Sequence, residues 1–272
     1  MDKNFCTLLN QVRKLGPLVH HITNYVTVND CANITLAIGA RPVMADSPDE
    51  AAEFASIASS LVVNIGTLNE RTVSSMIAAG KAANMKKTPV ILDPVGVGAS
   101  KFRNDTVKRL IAEIDLCVLR GNISEIKFIA GLSSETRGVD ASDSDILGTD
   151  NAGKIAKDLA HTLGCVVVIS GAVDVISDGN KTAYIENGHP TLGSITGTGC
   201  MCSSLIGSFC GISGTDPFYA AASAMLCMGV AGELSYEKAE LLGNGSFRVA
   251  IHDFISRMDA QTLERLGKYY EA

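Results

Sequence analysis

Three short stretches of this chain set polar side chains where a phosphorylated ligand could be held. Asp93-Pro94-Val95-Gly96-Val97-Gly98 follows the apolar run PVIL at 89–92. A carboxylate at a strand end can hold magnesium, directly or through water, and the glycines let a phosphate approach the backbone. The same residues also read as a turn capped by Asp93. Arg120-Gly121-Asn122-Ile123-Ser124-Glu125 follows the run LCVL at 116–119. A guanidinium suits bidentate phosphate contact. Glu125, three residues after the cap candidate Asn122, makes a capping-box pattern; capping is compatible with metal binding and leaves Arg120 unaccounted for. Ile195-Thr196-Gly197-Thr198-Gly199-Cys200 precedes a helical pattern at 201–210. Glycines at a helix start expose N–H groups and the positive end of the helix dipole to an anion. Cys200 stands at the mouth of that turn. A helix N-terminus can lower a thiol's pKa and let it take a proton from an alcohol, whereas a nearby phosphate opposes the shift, so its charge state stays open. The alternative is a glycine-rich loop over a buried cysteine. Together the three stretches supply magnesium ligands (Asp93, Glu125), phosphate-binding groups (Arg120, Asn122) and an anion hole (Thr198, Gly199), the parts phosphoryl transfer requires.

The elements that must position these groups are legible in the hydrophobic pattern. Runs at 61–65 (LVVNI), 89–92, 116–119 and 165–169 (CVVVI) lack polar alternation, as strands buried on both faces do. Between them Val73, Met76, Ile77 and Gly80, and then Ile155, Leu159 and Leu163, recur at helical spacing. This alternation predicts an α/β fold, a mostly parallel sheet with helices on its faces. Segments 173–177 and 182–185 flank Asp178-Gly179-Asn180 and predict a hairpin at one sheet edge. Beyond Gly193 the pattern reads as all helical, with Asp216-Pro217 starting one helix and Ile251, Phe254, Ile255 and Met258 marking a last major one behind Ser246. No repeat or linker breaks the chain, and one domain over 1–272 is expected. Ligands of open parallel sheets bind beyond the carboxyl ends of the strands, where the three stretches fall.

Composition bounds the partners. A net charge of -6 on 272 residues argues against nucleic acid, whose binders carry a basic stripe. The first ten residues are too polar for a secretory leader, and no apolar stretch reads as a membrane span; 220–231 comes nearest. The eight cysteines are scattered through segments that read as buried, so reduced thiols in a cytoplasmic protein are expected. Cys200 and Cys202 lack a second pair at zinc spacing.

Neither a P-loop motif nor a dinucleotide fingerprint is present. Instead PLVHHITNYV (17–26), NIGTL (64–68), ILDPVGVGAS (91–100), RGNISEI (120–126) and ITGTGC (195–200), in this order, resemble the ribokinase-like superfamily and, within it, the hydroxyethylthiazole kinase family. The resemblance covers nearly the whole chain. It implies a ribokinase-like three-layer sandwich that phosphorylates 4-methyl-5-(2-hydroxyethyl)thiazole from ATP, in thiamine biosynthesis. It places Mg2+ near Asp93 and Glu125, ATP phosphates on Arg120, and nucleotide on Ser170. The thiazole would lie against Asn24, Val26, Met44 and Gly197, a small apolar slot with Asn24 as its polar handle. The resemblance also implies a homotrimer with its pockets at subunit interfaces, where Asn24 and Met44 would serve a neighbour's site. His20 and His21 have no apparent carboxylate or metal partner and are read as structural.

Most ribokinase-like kinases carry Asp where Cys200 stands, and hydroxyethylthiazole kinases carry Cys. Such a base is not demanding, because a thiol at neutral pH is mostly protonated. In Gly243-Asn244-Gly245-Ser246-Phe247 the family usually has Pro at the second position, which touches only local rigidity, with Ser246 still expected to cap. A hydroxymethylpyrimidine kinase, or a dehydratase repairing hydrated nicotinamide nucleotides, would be expected to show Asp at Cys200. A non-catalytic sensor of nucleotide or thiazole would not need Asp93, Glu125, Arg120 and Cys200 together.

Overall fold

The computed structural model describes residues 3–132 and 149–272. One sheet contains β1 (Leu18–Ile22), β2 (Arg41–Val43), β3 (Ser60–Asn64), β4 (Val90–Asp93), β5 (Val118–Asn122), β6 (Val166–Ser170), β7 (Asp174–Ser177), β8 (Thr182–Ile185) and β9 (Tyr269–Glu271). The order is β2-β1-β3-β4-β5-β6-β7-β8-β9, parallel from β2 through β6 and antiparallel beyond. The strands are Val, Ile and Leu runs because both sheet faces are covered. Side chains alternate between the two covers: Val62, Ile91 and Val118 enter one core, Leu61, Val63, Leu92 and Leu119 the other. The first core is closed by α1 (Lys3–Leu15), α2 (Val28–Ile38), α8 (Thr198–Cys210), α9 (Pro217–Ala239), α10 (Asn244–Arg257) and α11 (Ala260–Leu266). The second is closed by α3 (Ala51–Ile57), α4 (Glu70–Met85), α5 (Lys101–Glu113), α6 (Ile123–Ile129) and α7 (Thr149–Leu163). This is the expected three-layer sandwich.

Several expectations need correction. β1 was hidden by His20 and His21, both buried; His20 Nε2 meets the Ala45 carbonyl at 2.7 Å and His21 Nε2 meets Ser204 Oγ at 3.1 Å. The β7–β8 hairpin is not the sheet edge, because β9 pairs with β8. For the same reason the chain beyond Gly193 is not all helical. The last three-turn helix, α10, starts at Asn244 with Gly243 as N-cap (φ 89°), not behind Ser246. Asn244 thus holds the first helical position, where a proline would fit equally well. α8 begins at Thr198, three residues earlier than expected, and so absorbs the glycine turn. α9 runs for 23 residues, long and apolar enough to cross a membrane, yet 83% of its most apolar window is buried inside the protein. A helix apolar all round is here a core helix.

Strand order reverses at β1, whose neighbours are β2 and β3. The following helices α2 and α4 go to opposite faces, which opens a crevice at the carboxyl ends of β1 and β3. α8 runs against the strands. Its Cys200 meets Asn64 at the end of β3, while Gly211, just past its other end, sits against Ser59 at the start.

Candidate active site

Every parallel strand from β3 to β6 ends on a polar residue of the crevice. Asn64 and Asp93 are register neighbours, as are Asn122 and Ser170. Asp93 is fully buried. Its Oδ2 accepts from Asn64 Nδ2 at 2.9 Å and Ser203 Oγ at 2.8 Å. Its Oδ1 has no hydrogen-bond partner and lies 3.7 Å from Arg120 Nη1. Arg120 donates through Nη2 to Ser170 Oγ at 2.7 Å, and its Nε is likewise buried without a partner. Buried polar atoms are rarely left unpaired, so both are prepared for a ligand.

Glu125 has two functions. Its Oε1 accepts from the Gly96 N–H and its Oε2 from the Asn122 N–H, each at 2.8 Å, so it closes the capping box of α6 and fixes the loop after β4. Burial, then the Asp93 charge, pushes its carboxyl up to about 7. Burial also raises Asp93, against the pull of Arg120. For Arg120 burial acts downward, but the Asp93 carboxylate outweighs it and holds the guanidinium above its ordinary value. A carboxyl pair beside one fixed cation can thus exchange a proton for a second cation near neutral pH.

Above these groups stands the first turn of α8. Gly197 is left-handed (φ 94°), and a Cβ there would fall 2.5 Å from Thr27 Cγ2. At Gly199 a Cβ would fall 2.6 Å from Arg120 Nη1. Only glycine lets the helix start approach the guanidinium so closely, and the first N–H groups of a helix have no intrahelical acceptor. Cys200 lies beneath. Its sulfur accepts from Asn64 Nδ2 at 3.2 Å and Asn24 Nδ2 at 3.4 Å. Burial, then Asp93, pushes its pKa up, so the helix terminus does not make it a thiolate; this corrects the expected downward shift.

One cavity of about 480 Å3 is lined by Asp93, Arg120, Asn122, Glu125 and the segment from Gly193 to Cys200, and reaches Asn24 and Val26. A second, of about 470 Å3, shares Arg120, Thr198 and Gly199 with it and extends past Ser170 and Asp174 to Met225 and Met228. Met44 does not join either. Within one chain it lines a separate cavity of about 340 Å3 with His21, Thr23 and Tyr25. His21 is held far down at about 3 by burial, and burial lowers His20 as well, in keeping with structural roles. The residue reading missed Asn64, which ties Asp93, Cys200 and Asn24 into one network; its place at a strand end was the available signal. It also missed Ser203, hidden in a helix turn, and Asp174, which reads as a turn residue.

A strand-end carboxylate and guanidinium facing a glycine-walled helix start, on this three-layer sheet, define a small-molecule kinase of the ribokinase-like fold. Comparison with known proteins narrows the class. A model of the hydroxyethylthiazole kinase family matches residues 9–261. The hydroxyethylthiazole kinase of Clostridium beijerinckii is 56% identical over 266 residues, which cover 97% of this chain and 96% of that one. The structure of the hydroxyethylthiazole kinase protein from Pyrococcus horikoshii OT3 superposes with a TM-score of 0.91 at 37% identity, over 100% of both chains. The pyridoxal kinase from Staphylococcus aureus, solved with AMP-PCP and pyridoxal, shares the fold alone, with a TM-score of 0.56 at 14% identity over 80% of this chain and 88% of that one. The chain belongs to the hydroxyethylthiazole kinase family, and it is an ATP-dependent kinase.

Proposed function

We propose that the 480 Å3 cavity is where the γ-phosphoryl group of ATP passes to the hydroxyl of 4-methyl-5-(2-hydroxyethyl)thiazole. The observation that carries this is the pair of orphaned polar atoms, Asp93 Oδ1 and Arg120 Nε, buried beneath the glycine-walled start of α8. Arg120, Asn122 and the N–H groups of Thr198 and Gly199 bind phosphate oxygens, and Ser170 contacts the nucleotide in the adjoining cavity. The thiazole lies against Asn24, Val26 and Gly197, with its hydroxyl toward Cys200. Phosphoryl transfer passes through a loose transition state, so the hydroxyl proton leaves late and needs no strong base. A neutral Cys200 thiol, oriented by Asn24 and Asn64, fits that requirement as the catalytic neighbour.

The donor set also fits magnesium. Among the described residues no cluster of three or more metal-binding side chains exists. Mg2+ commonly takes one or two carboxylates and completes its shell with phosphates and water. Asp93, with its free Oδ1, and Glu125 would hold it, and when bound it neutralises phosphate charge.

The reading treats 1–272 as one cytoplasmic kinase domain that assembles as a trimer. Support for assembly comes from Tyr25 and Val26, 78% and 58% exposed beside the substrate cavity, and from Met44, set apart from it within one chain. A second copy would bring such a methionine to a neighbour's pocket. The test is coupled ADP release across a panel of small alcohols with and without magnesium, on protein sized by light scattering. Binding of the thiazole alcohol without turnover would refute the reading in favour of a sensor.

A further inference from the structure

The two elements that carry the phosphate-binding groups each carry a cysteine at their other end. Cys210 is the last residue of α8, whose first turn forms the glycine cradle. Cys117 directly precedes β5, whose carboxyl end carries Arg120 and Asn122. The two thiols hydrogen-bond one another. Both line a cavity of about 610 Å3 at the amino-terminal end of the strands, remote from the kinase site. Cys210 is buried and Cys117 is half-buried, so the latter is the reachable member. Lys87 lines the same cavity and is the only non-glycine residue of positive φ (58°) among the described residues. A left-handed lysine is an unfavourable conformation retained here, and a cation in that wall suits an anionic guest.

We propose that Cys117 and Cys210 form a thiol–disulfide exchange site for a low-molecular-weight disulfide bearing carboxylates, and that its oxidation slows phosphoryl transfer. The Cys117 thiolate attacks one sulfur of the small disulfide. That S–S bond breaks, a mixed disulfide forms on Cys117, and one small thiolate leaves and takes a proton. Cys210, deprotonated in turn, attacks the Cys117 sulfur and expels the second small thiol. Two protein thiols are oxidised to one disulfide, one small disulfide is reduced to two thiols, and both protons end on the released thiols. The thiol contact favours this order of attack. The hydrogen bond from Cys210 pulls Cys117 below its usual value despite burial, and the same contact and burial push Cys210 up, giving an attacking and a resolving thiol.

The effect on turnover rests on the kinase reading above. A disulfide closes its sulfurs to about 2.05 Å and draws the end of α8 toward the start of β5. Residues 200–210 of α8 are all buried, so the helix cannot yield locally and transmits the shift to its first turn.

The test uses purified reduced full-length protein exposed to oxidised glutathione, capped with iodoacetamide and digested without reduction for mass spectrometry. The expected products are a Cys117–Cys210 cross-linked peptide in the wild type and a glutathione adduct on Cys117 that accumulates only in Cys210→Ser. Turnover should fall on the order of tenfold, since misplacement by about 1 Å can cost as much as 10²-fold. Dithiothreitol should restore it, and Cys117→Ser should be insensitive. Wild-type protein that leaves both thiols alkylatable, or holds an unresolved adduct on Cys117, would overturn the exchange site. A cross-link with unchanged turnover would overturn the coupling. Mapping in the wild type decides the first point even if Cys210→Ser does not fold, and it is independent of what the kinase site binds.

Discussion

Asp174 offers the cleanest measure of what this site costs the fold. It opens β7, is buried, and lines the nucleotide cavity beside Arg120. Its Oδ1 accepts from the Gly171 N–H at 2.9 Å, a bond an asparagine oxygen keeps. Burial, only partly opposed by that bond and by Arg120, lifts its pKa from 3.8 to about 7. Because the folded value lies above the unfolded one, the fold prefers the protonated form. Stability is complete below the unfolded value and is lost as pH rises through the folded one. A shift of about three units at ~1.36 kcal/mol each puts the loss at about 4 kcal/mol by pH 8. Asp174→Asn removes the ionisation, so its advantage should grow from near zero at pH 4 to about 4 kcal/mol at pH 8, or about 10 °C in Tm for a chain of this size. Urea unfolding across that pH range reads it directly. An Asn variant that gains nothing at pH 8, or keeps the wild-type pH slope, would refute the claim that the carboxylate is held against its hydration.

Arg120→Ala should lose on the order of 10²–10³-fold in kcat while circular dichroism stays native, because a fixed charge at the transferred group is removed; wild-type rates would refute its phosphate role. Cys200→Asp should keep activity, since the Asn24 and Asn64 amides that meet the sulfur can donate to a carboxylate; a folded, inactive protein would show that the thiol itself is needed. Asn64→Ala should lower stability by about 1–3 kcal/mol in urea titrations, because Asp93 Oδ2 keeps only Ser203; an unchanged midpoint would mean water replaces the amide. ATP affinity measured calorimetrically in EDTA should fall by on the order of 10²-fold relative to excess Mg2+, since one uncompensated like-charge pair about 5 Å apart costs about 3 kcal/mol at an effective dielectric near 20. Equal affinities would refute metal binding at Asp93 and Glu125.

The parallel core was readable because β3, β4, β5 and β6 are β-branched runs between helical patterns, and strands buried on both faces leave that mark. β1 escaped because two histidines interrupt it, and only the tertiary partners Ala45 and Ser204 make their burial tolerable. β2 and β9 are three residues each, too short for a period to register. At the site, Asp93, Arg120 and Glu125 were visible because each follows such a run. The charge state of Cys200 was not. Sequence supplies a helix terminus, while the deciding quantity is burial beside Asp93. Asn64 needed the register that sets it against Asp93, and Asp174 needed the hairpin that folds it back beside β6.

The balance of charge in the crevice argues for the reaction as strongly as any single contact. Asp93, Glu125 and Asp174 face one buried guanidinium, and burial pushes all three carboxyls upward. A pocket selected only to hold an anion would gain from more cations and fewer acids. A pocket selected only for stability would replace the acids with amides. Buried acids around a lone arginine become favourable when the bound phosphate arrives with a divalent cation, which ionises the carboxyls that the empty fold keeps partly protonated. The fold tolerates them because Asn64, Ser203 and the Gly96, Asn122 and Gly171 N–H groups each satisfy one carboxyl oxygen, leaving the remaining valence of Asp93 for the ligand.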